Sequence, residues 1–333
     1  MVLRRFAEQR LESHAKNFRV VVVNGPRQAG KTTLLRLRHE VTGGEFRSLD
    51  DDSWLSAALA DPKTFVEHAE RPLYLDEVQR GGDALIRAIK YVVDLDNERG
   101  QFVLSGSTRF LTVPTLSESL AGRVGILELL PLTMAERSSQ SGDFLIKAMT
   151  DASALLASPS PWTRSDYIEL MCTGGFPEVL ELDGPAARRD WFASYIATVI
   201  GRDIEQFAAV RDVSLLSQTL GLVAARTGSP VVLAGLARTL EIGHPTARDY
   251  LSYIETVFLT TRIDWAGNVV AIEVKASQTP TSNDARRLRW LRDKLGDKFR
   301  AGIVLHLGAA SLSFGDRIFA LPFAAMWGHR QLD

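Results

Sequence analysis

The sequence predicts an α/β protein that begins with a three-layer parallel sheet. Five short apolar runs precede residue 130, helical segments separate them, and most lack the alternation of a half-exposed strand. The predicted strands are residues 19–24, 45–49, 72–75, 101–105 and 124–129. Strands that alternate with helices form parallel sheets covered on both faces, because each crossover returns over one face.

The 333 residues exceed what one hydrophobic core usually holds. The strand pattern stops near residue 135, and residues 138–163 are rich in Ser, Ala, Pro and Asp, which predicts a connection of low order. Helical spacing follows, and then a small α/β unit with strands at 268–275 and 301–307. We therefore predict four segments: 1–135, 136–200, 201–260 and 261–333.

Composition excludes several classes of protein. A net charge of -1 gives no global attraction to nucleic acid or anionic lipid. The single cysteine, Cys172, excludes internal disulfides, and we expect its thiol to be buried. No apolar run is long enough for a membrane span, and the first residues do not resemble a secretory signal. These features predict a cytoplasmic protein that does not associate with membranes.

A glycine loop follows the first predicted strand. Residues 25–32 read Gly-Pro-Arg-Gln-Ala-Gly-Lys-Thr, which matches G-x-x-x-x-G-K-[ST] between a strand and a helix. Backbone N–H groups of such a loop bind phosphate, Lys31 neutralises the β- and γ-phosphates, and the Thr32 hydroxyl binds Mg²⁺. We predict that ATP is bound by Gly25, Pro26, Arg27, Gln28, Ala29, Gly30, Lys31, Thr32 and Thr33.

Two carboxylates follow the third predicted strand. Asp76 is expected to bind Mg²⁺ with Thr32, and Glu77 to polarise the water that attacks the γ-phosphate, so hydrolysis is predicted. The turn after the fourth strand offers two hydroxyls, on Ser107 and Thr108, as equally good sensors of the γ-phosphate.

Arg123 immediately precedes the fifth predicted strand. It could supply positive charge to the transition state in its own chain or in a neighbouring copy, or it could form a surface ion pair. With Lys31, Glu77 and Ser107 it completes the predicted catalytic set. A homo-oligomer is left open.

The motifs together resemble a known family. They include L-Y-L-D-E-V-Q at 73–79, L-S-G-S-T-R-F at 104–110, S-L-A-G-R-V at 119–124, G-G-F-P-E at 174–178 and R-D-I-E at 202–205. Over residues 15–260 the chain resembles bacterial and archaeal AAA-type P-loop ATPases with a C-terminal domain of unknown function. The resemblance implies strand order 5-1-4-3-2 and a winged-helix-like module.

Residues 233–251 agree with that module. Two short helical segments flank a turn at Gly243, which is a helix-turn-helix pattern with Thr246, Arg248 and Asp249 on the exposed face of the second helix. Only Arg238 and Arg248 are basic there. Contact with DNA and contact with a protein partner are therefore equally open.

The last segment contains Glu273 and Lys275, which resemble the E-x-K half of a restriction-endonuclease-like site. In the family an upstream aspartate completes the metal site, and a longer stretch precedes the E-x-K strand. Here Asp264 is the only nearby candidate and its spacing does not fit. We therefore expect a shortened remnant with a structural role rather than a nuclease.

Two functions remain open at this point. One is an ATP-hydrolysing switch, in which nucleotide binding reorders the helical modules and Glu77 ends the cycle. The other is a regulator or scaffold that binds ATP with little turnover and acts on DNA or a protein through the winged helix. The pair Asp76 and Glu77 favours the switch.

Overall fold

The structure is a computed structural model. It describes residues 3–107, 120–156, 159–204, 210, 212–226, 231–261 and 267–328. The chain divides into two compact units, one of residues 5–131 and 176–262, and one of residues 1–4, 132–175 and 263–333. These units are groups of spatial neighbours, and the sequence domains with boundaries at 135, 200 and 260 stay predictions.

The first unit contains a five-stranded sheet in which every neighbouring pair is parallel. The order is β2-β3-β4-β1-β5, which confirms the expected 5-1-4-3-2 arrangement. Each strand lies within one residue of its predicted bounds. The strands are β1 Val20–Asn24, β2 Glu45–Ser48, β3 Leu73–Asp76, β4 Phe102–Gly106 and β5 Val124–Glu128.

Helices cover both faces of this sheet, as the α/β pattern predicts. They are α1 Ala7–Asn17, α2 Lys31–Thr42, α3 Asp52–Ala60, α4 Pro62–Glu67 and α5 Gly82–Leu95. One face packs on α1 and α2 through Leu11, Leu34 and Leu35. The other face packs on α3, α4 and α5, and α5 buries Leu85 and Ile89. Each such side chain contributes about 1.5–3 kcal/mol by leaving water.

Among its described residues, the remainder of this unit contains helices and no strand. They are α9 Pro177–Leu180, α10 Gly184–Thr198, α11 Val213–Ala224, α12 Leu233–Thr239 and α13 His244–Thr256, and a π-helical turn, Val199–Asp203, extends α10. The last two match the predicted helix-turn-helix, with Arg248 and Asp249 exposed and Thr246 half-buried. A wing is not among the residues described here, so the winged helix stays a prediction.

The second unit contains a four-stranded sheet of order β6-β7-β9-β8. Its helices are α6 Met134–Arg137, α7 Phe144–Thr150, α8 Arg164–Thr173 and α14 Arg286–Leu295, and its strands are β6 Val269–Lys275, β7 Phe299–His306, β8 Leu312–Ser313 and β9 Ile318–Pro322. The two predicted strands are therefore present, and α14 lies between them in the chain.

Two expectations for this unit were wrong. Residues 138–163 are not simply a low-order connection, because α7 buries Phe144 and Ala148 in the core beneath the four-stranded sheet. The apolar pattern of a seven-residue helix is too short to be recognised within a Ser-rich stretch. Cys172 is exposed rather than buried, since α8 turns Tyr167 inward and leaves Cys172 outside the core.

Within the described ranges, no helix is both long and apolar enough to cross a membrane.

Candidate functional site

The glycine loop joins β1 to α2 at the carboxyl edge of the five-stranded sheet. Gly30 has φ 92° and Gln28 has φ 60°, so the loop uses left-handed backbone at two points. Gly25 is required for a different reason. A Cβ at Gly25 would lie 2.0 Å from the carbonyl oxygen of Leu129, so only glycine permits this close approach of two backbone segments.

Lys31 begins α2 and is 4% exposed. Its Nζ donates hydrogen bonds to the carbonyl oxygens of Gly25 at 3.0 Å and Pro26 at 2.8 Å. Burial lowers the pKa of Lys31, and the charges of Glu77 and Asp76 oppose that shift. The ammonium therefore lies in a poorly solvated place where a phosphate would be a strong counterion.

Asp76 lies at the end of β3 and is held by hydroxyl groups from three other elements. Its Oδ2 accepts a hydrogen bond from Thr32 Oγ1 at 2.9 Å and lies 3.5 Å from Ser48 Oγ. Its Oδ1 accepts one from Ser105 Oγ. The sequence predicted the meeting of Thr32 and Asp76 but gave no role to Ser48 or Ser105.

Glu77 follows directly and has left-handed backbone, with φ 54° and ψ 46°. Its N–H donates to Ser105 Oγ at 3.2 Å, and its Oε2 accepts a hydrogen bond from Gln79 Nε2. The same Nε2 donates to Ser107 Oγ at 3.1 Å. Glu77 and Ser107, two predicted catalytic residues, are thus joined by a third that the sequence did not single out.

Arg5, which lies outside the loop, stabilises it through hydrogen bonds to backbone carbonyl oxygens. Its guanidinium donates to the carbonyl oxygens of Ala29 at 2.8 Å and Leu130 at 2.5 Å, and Arg5 is buried. Nothing in the local sequence around Arg5 marks this role, because both acceptors are backbone atoms far along the chain.

Arg27 of the loop contacts the helical part of the same unit. Its Nε lies 2.5 Å from Asp203 Oδ2, and the Asp203 side chain is 2% exposed. The Tyr195 hydroxyl donates to the carbonyl oxygen of Arg27 at 3.4 Å. Hydrogen bonding to Asp203 raises the pKa of Arg27, and burial raises the pKa of Tyr195, so the guanidinium is charged and the phenol is protonated.

Arg123 lies at the opposite edge of the sheet. Its carbonyl oxygen accepts a hydrogen bond from the N–H of Val20, the first residue of β1, and its side chain pairs with Asp94. The five residues of β1 separate it from the loop by roughly 15 Å. The predicted role in its own chain is therefore wrong, while a role toward a neighbouring copy stays a prediction.

Two other candidates lie outside the described residues, namely Thr108 and Asp264. Glu273 and Lys275 are described, and Lys275 Nζ lies 2.9 Å from Glu273 Oε1 and 3.8 Å from Asp284 Oδ1. The described part of the chain contains no group of three or more His, Cys, Asp or Glu side chains that could hold a metal ion.

The residues at the loop do fit a magnesium ion bound with a nucleotide. Mg²⁺ in such sites takes oxygen ligands from one or two protein side chains, and phosphates and water supply the rest. Thr32 Oγ1 and Asp76 Oδ2, 2.9 Å apart, form a donor set of this kind.

Three family models match successive parts of the chain. Residues 17–138 match an AAA domain. Residues 164–277 match the domain of unknown function DUF8612, and residues 262–326 match the domain of unknown function DUF4143.

Two curated relatives match this chain with the same identity and coverage. They are the uncharacterized protein Mb2031c of Mycobacterium bovis and the uncharacterized protein Rv2008c of Mycobacterium tuberculosis, each 29% identical over 271 residues. The match covers 81% of this chain and 55% of each relative. The chain therefore spans about half the length of the curated relatives it matches.

Two solved structures are similar to this chain at low sequence identity. The Walker-type ATPase PABY2304 of Pyrococcus abyssi is 14% identical, with a TM-score of 0.43 over 77% of this chain and 90% of that one. A mutant form of RuvB from Thermotoga maritima is 20% identical, with a TM-score of 0.36 over 76% and 87%. At these scores neither likeness carries a conclusion about function.

The glycine loop, the buried lysine, the Thr32–Asp76 pair and the strand order agree with the match over residues 17–138. Residues 17–138 are therefore those of an AAA domain, and matches to two domains of unknown function follow it along the chain.

Proposed function

We propose that the protein hydrolyses MgATP and uses the cycle to switch the conformation of its helical region. The observation that carries this proposal is the Asp76 carboxylate, which hydroxyl groups of Thr32 and Ser105 hold beside Glu77. A loop that served only for binding would need Lys31 and Thr32, but it would not need a second carboxylate next to Asp76.

Each residue has a defined task in the proposed reaction. The loop amides and Lys31 bind the β- and γ-phosphates, while Thr32 and Asp76 would hold Mg²⁺, which supplies positive charge to the phosphate oxygens. Glu77 takes a proton from water as the water oxygen bonds to the γ-phosphorus. The bond from that phosphorus to the bridging oxygen breaks, which leaves ADP, phosphate and one proton.

The link between Arg27 and Asp203 supports the switch. It joins residues 176 positions apart, one in the phosphate loop and one in the turn that ends α10. Tyr195 adds a second contact from α10 to the loop. A phosphate that attracts the Arg27 guanidinium would compete with Asp203, so nucleotide binding would loosen or reset the helical region.

Phosphate release from the purified chain tests hydrolysis. We expect Glu77→Gln to bind MgATP with near-normal affinity and to lose at least roughly 100-fold in release rate, because the general base is gone. Glu181 is exposed, so Glu181→Gln is the matched control and should release phosphate at the wild-type rate. Equal, negligible release from all three proteins would refute hydrolysis and favour the low-turnover regulator or scaffold.

Hydrogen exchange of α10 with and without MgATP tests the switch. We expect wild-type α10 to exchange faster when ATP is bound, and Asp203→Asn to show fast exchange in both conditions, since its contact to Arg27 is weakened. Asp190→Asn changes an exposed carboxylate of α10 and should match wild type. Identical exchange of α10 with and without ATP in the wild type would contradict the switch.

The helix-turn-helix is the place where a regulator or scaffold would contact DNA or a protein. Arg238 and Arg248 are both exposed. Binding to duplex DNA that weakens as salt rises and is lost in Arg248→Ala would support DNA contact, because phosphate contacts release counterions. An absence of binding at low salt would favour a protein partner.

A further inference from the structure

The side chain of Gln79 contacts both Glu77 and Ser107. Gln79 lies in the 3-10 turn Val78–Gly81 that follows β3. Its Nε2 donates one hydrogen bond to the Glu77 carboxylate and another, 3.1 Å long, to Ser107 Oγ. Both side-chain N–H groups of the amide are therefore used at the site.

The orientation of this amide is fixed by chemistry. An ionised carboxylate only accepts hydrogen bonds, so the nitrogen of Gln79 must face Glu77. The oxygen, Oε1, then points elsewhere, and it is buried without a hydrogen-bond donor among the described residues. A buried carbonyl oxygen without a hydrogen bond lowers stability, and such unpaired groups are few in native proteins.

The backbone at Glu77 makes such a support necessary. Glu77 has left-handed backbone, where a residue with a long side chain is uncommon, and its N–H is tied to Ser105. These constraints fix the main chain of Glu77 but do not fix its side-chain torsions. The contact with Gln79 Nε2 fixes the carboxylate relative to Ser107.

We propose that Gln79 is a positioning residue for hydrolysis, which holds the Glu77 carboxylate and the Ser107 hydroxyl in one arrangement toward the attacking water. This inference rests on the proposed ATPase function and names how that site is organised. Gln79 takes no proton in the reaction.

Steady-state phosphate release tests the proposal, with MgATP affinity measured separately by calorimetry. We expect Gln79→Ala to lower kcat roughly 10- to 100-fold and to change the Kd for MgATP less than about twofold, since misplacing a reacting group affects chemistry rather than binding. Gln79→Glu keeps the shape but sets a carboxylate against Glu77, and we expect a loss at least as large.

The matched control is Gln101→Ala. Gln101 is a buried glutamine whose Nε2 also donates two hydrogen bonds, to the carbonyl oxygens of Asp96 and Glu98 at 2.9 and 3.1 Å. It precedes β4, at the amino edge of the sheet, so its substitution should affect stability and leave kcat within about twofold of wild type. An effect of Gln79→Ala that Gln101→Ala reproduces would overturn the positioning role.

A double-mutant cycle separates positioning from general stabilisation. If Gln79 acts through Glu77, then Gln79→Ala should change kcat by less than about twofold in a Glu77→Gln background. Full additivity, or a kcat raised by Gln79→Ala alone, would overturn the proposal while hydrolysis stands. Absence of phosphate release from the wild type would instead overturn both this inference and the proposed function.

Discussion

Lys31 at the start of α2 and Lys275 at the end of β6 each lie near carboxylates, and their surroundings differ. Lys31 is 4% exposed and donates to two backbone carbonyls of a turn that also presents amides. The Lys275 side chain is 34% exposed and forms ion pairs with Glu273 and Asp284. Asp284 in turn accepts hydrogen bonds from Thr281 as a helix cap.

The comparison teaches that spacing in the sequence does not by itself make a chemical site. Both lysines belong to recognisable motifs. Of the two, only Lys31 is poorly solvated and lies beside backbone amides that could bind a ligand. Around Lys275 the acidic groups are occupied by the lysine and by the cap. A part-exposed ion pair of that kind contributes little to stability.

The largest expected effect comes from the two lysines themselves. Lys31→Ala should weaken MgATP binding at least roughly 100-fold, because a charged hydrogen bond to phosphate is lost from a buried place. Lys275→Ala should leave the Kd within about twofold of wild type. Calorimetric titration measures both values, and equal weakening by the two substitutions would remove the distinction between the sites.

Substitution of one carboxylate near each lysine, Asp76 and Asp284, tests the same difference between the two sites. Asp76→Asn should lower phosphate release at least roughly 100-fold, because the neutral amide is a poor ligand for Mg²⁺. Asp284→Asn should leave phosphate release unchanged and lower the free energy of unfolding slightly, through a weaker cap. Activity lost in Asp284→Asn would indicate that the second site takes part in catalysis.

The smallest expected effect is a pH dependence of the four-stranded sheet. His306, which is fully buried, pairs in register with Lys275, and burial lowers the pKa of His306 from its ordinary 6.5. Below about pH 6.5 the unfolded chain takes up a proton that the folded chain resists. Stability should therefore fall as the pH drops below that value, by up to about 1.4 kcal/mol per pH unit.

Denaturant unfolding between about pH 7.5 and 5 of wild type and His306→Asn measures this effect. Asparagine keeps an acceptor for the N–H of Gly308, which now donates to His306 Nδ1 at 3.0 Å, but it does not titrate. The slope of stability against pH should be smaller in the variant. Identical slopes in the two proteins would show that His306 does not titrate as its burial indicates.

The phosphate loop and the strands were predictable because their signals are local. A β-branched run, a glycine turn and an amphipathic helix specify themselves within a few residues, and so do the two carboxylates that end β3. Short α7 was not predictable because seven residues carry too little periodicity. The exposure of Cys172 was missed because a lone apolar side chain does not reveal which helix face is covered.

The sequence by itself determined that a phosphate-binding loop follows a buried strand, and which residues form it, because backbone curvature and helix start depend on neighbouring residues. Only the tertiary structure decided that Gln79 joins Glu77 to Ser107, that Arg27 meets Asp203, and that Arg123 lies at the far edge of the sheet. The reason is that strand order and helix packing bring together residues far apart in the chain, and no local pattern encodes those meetings.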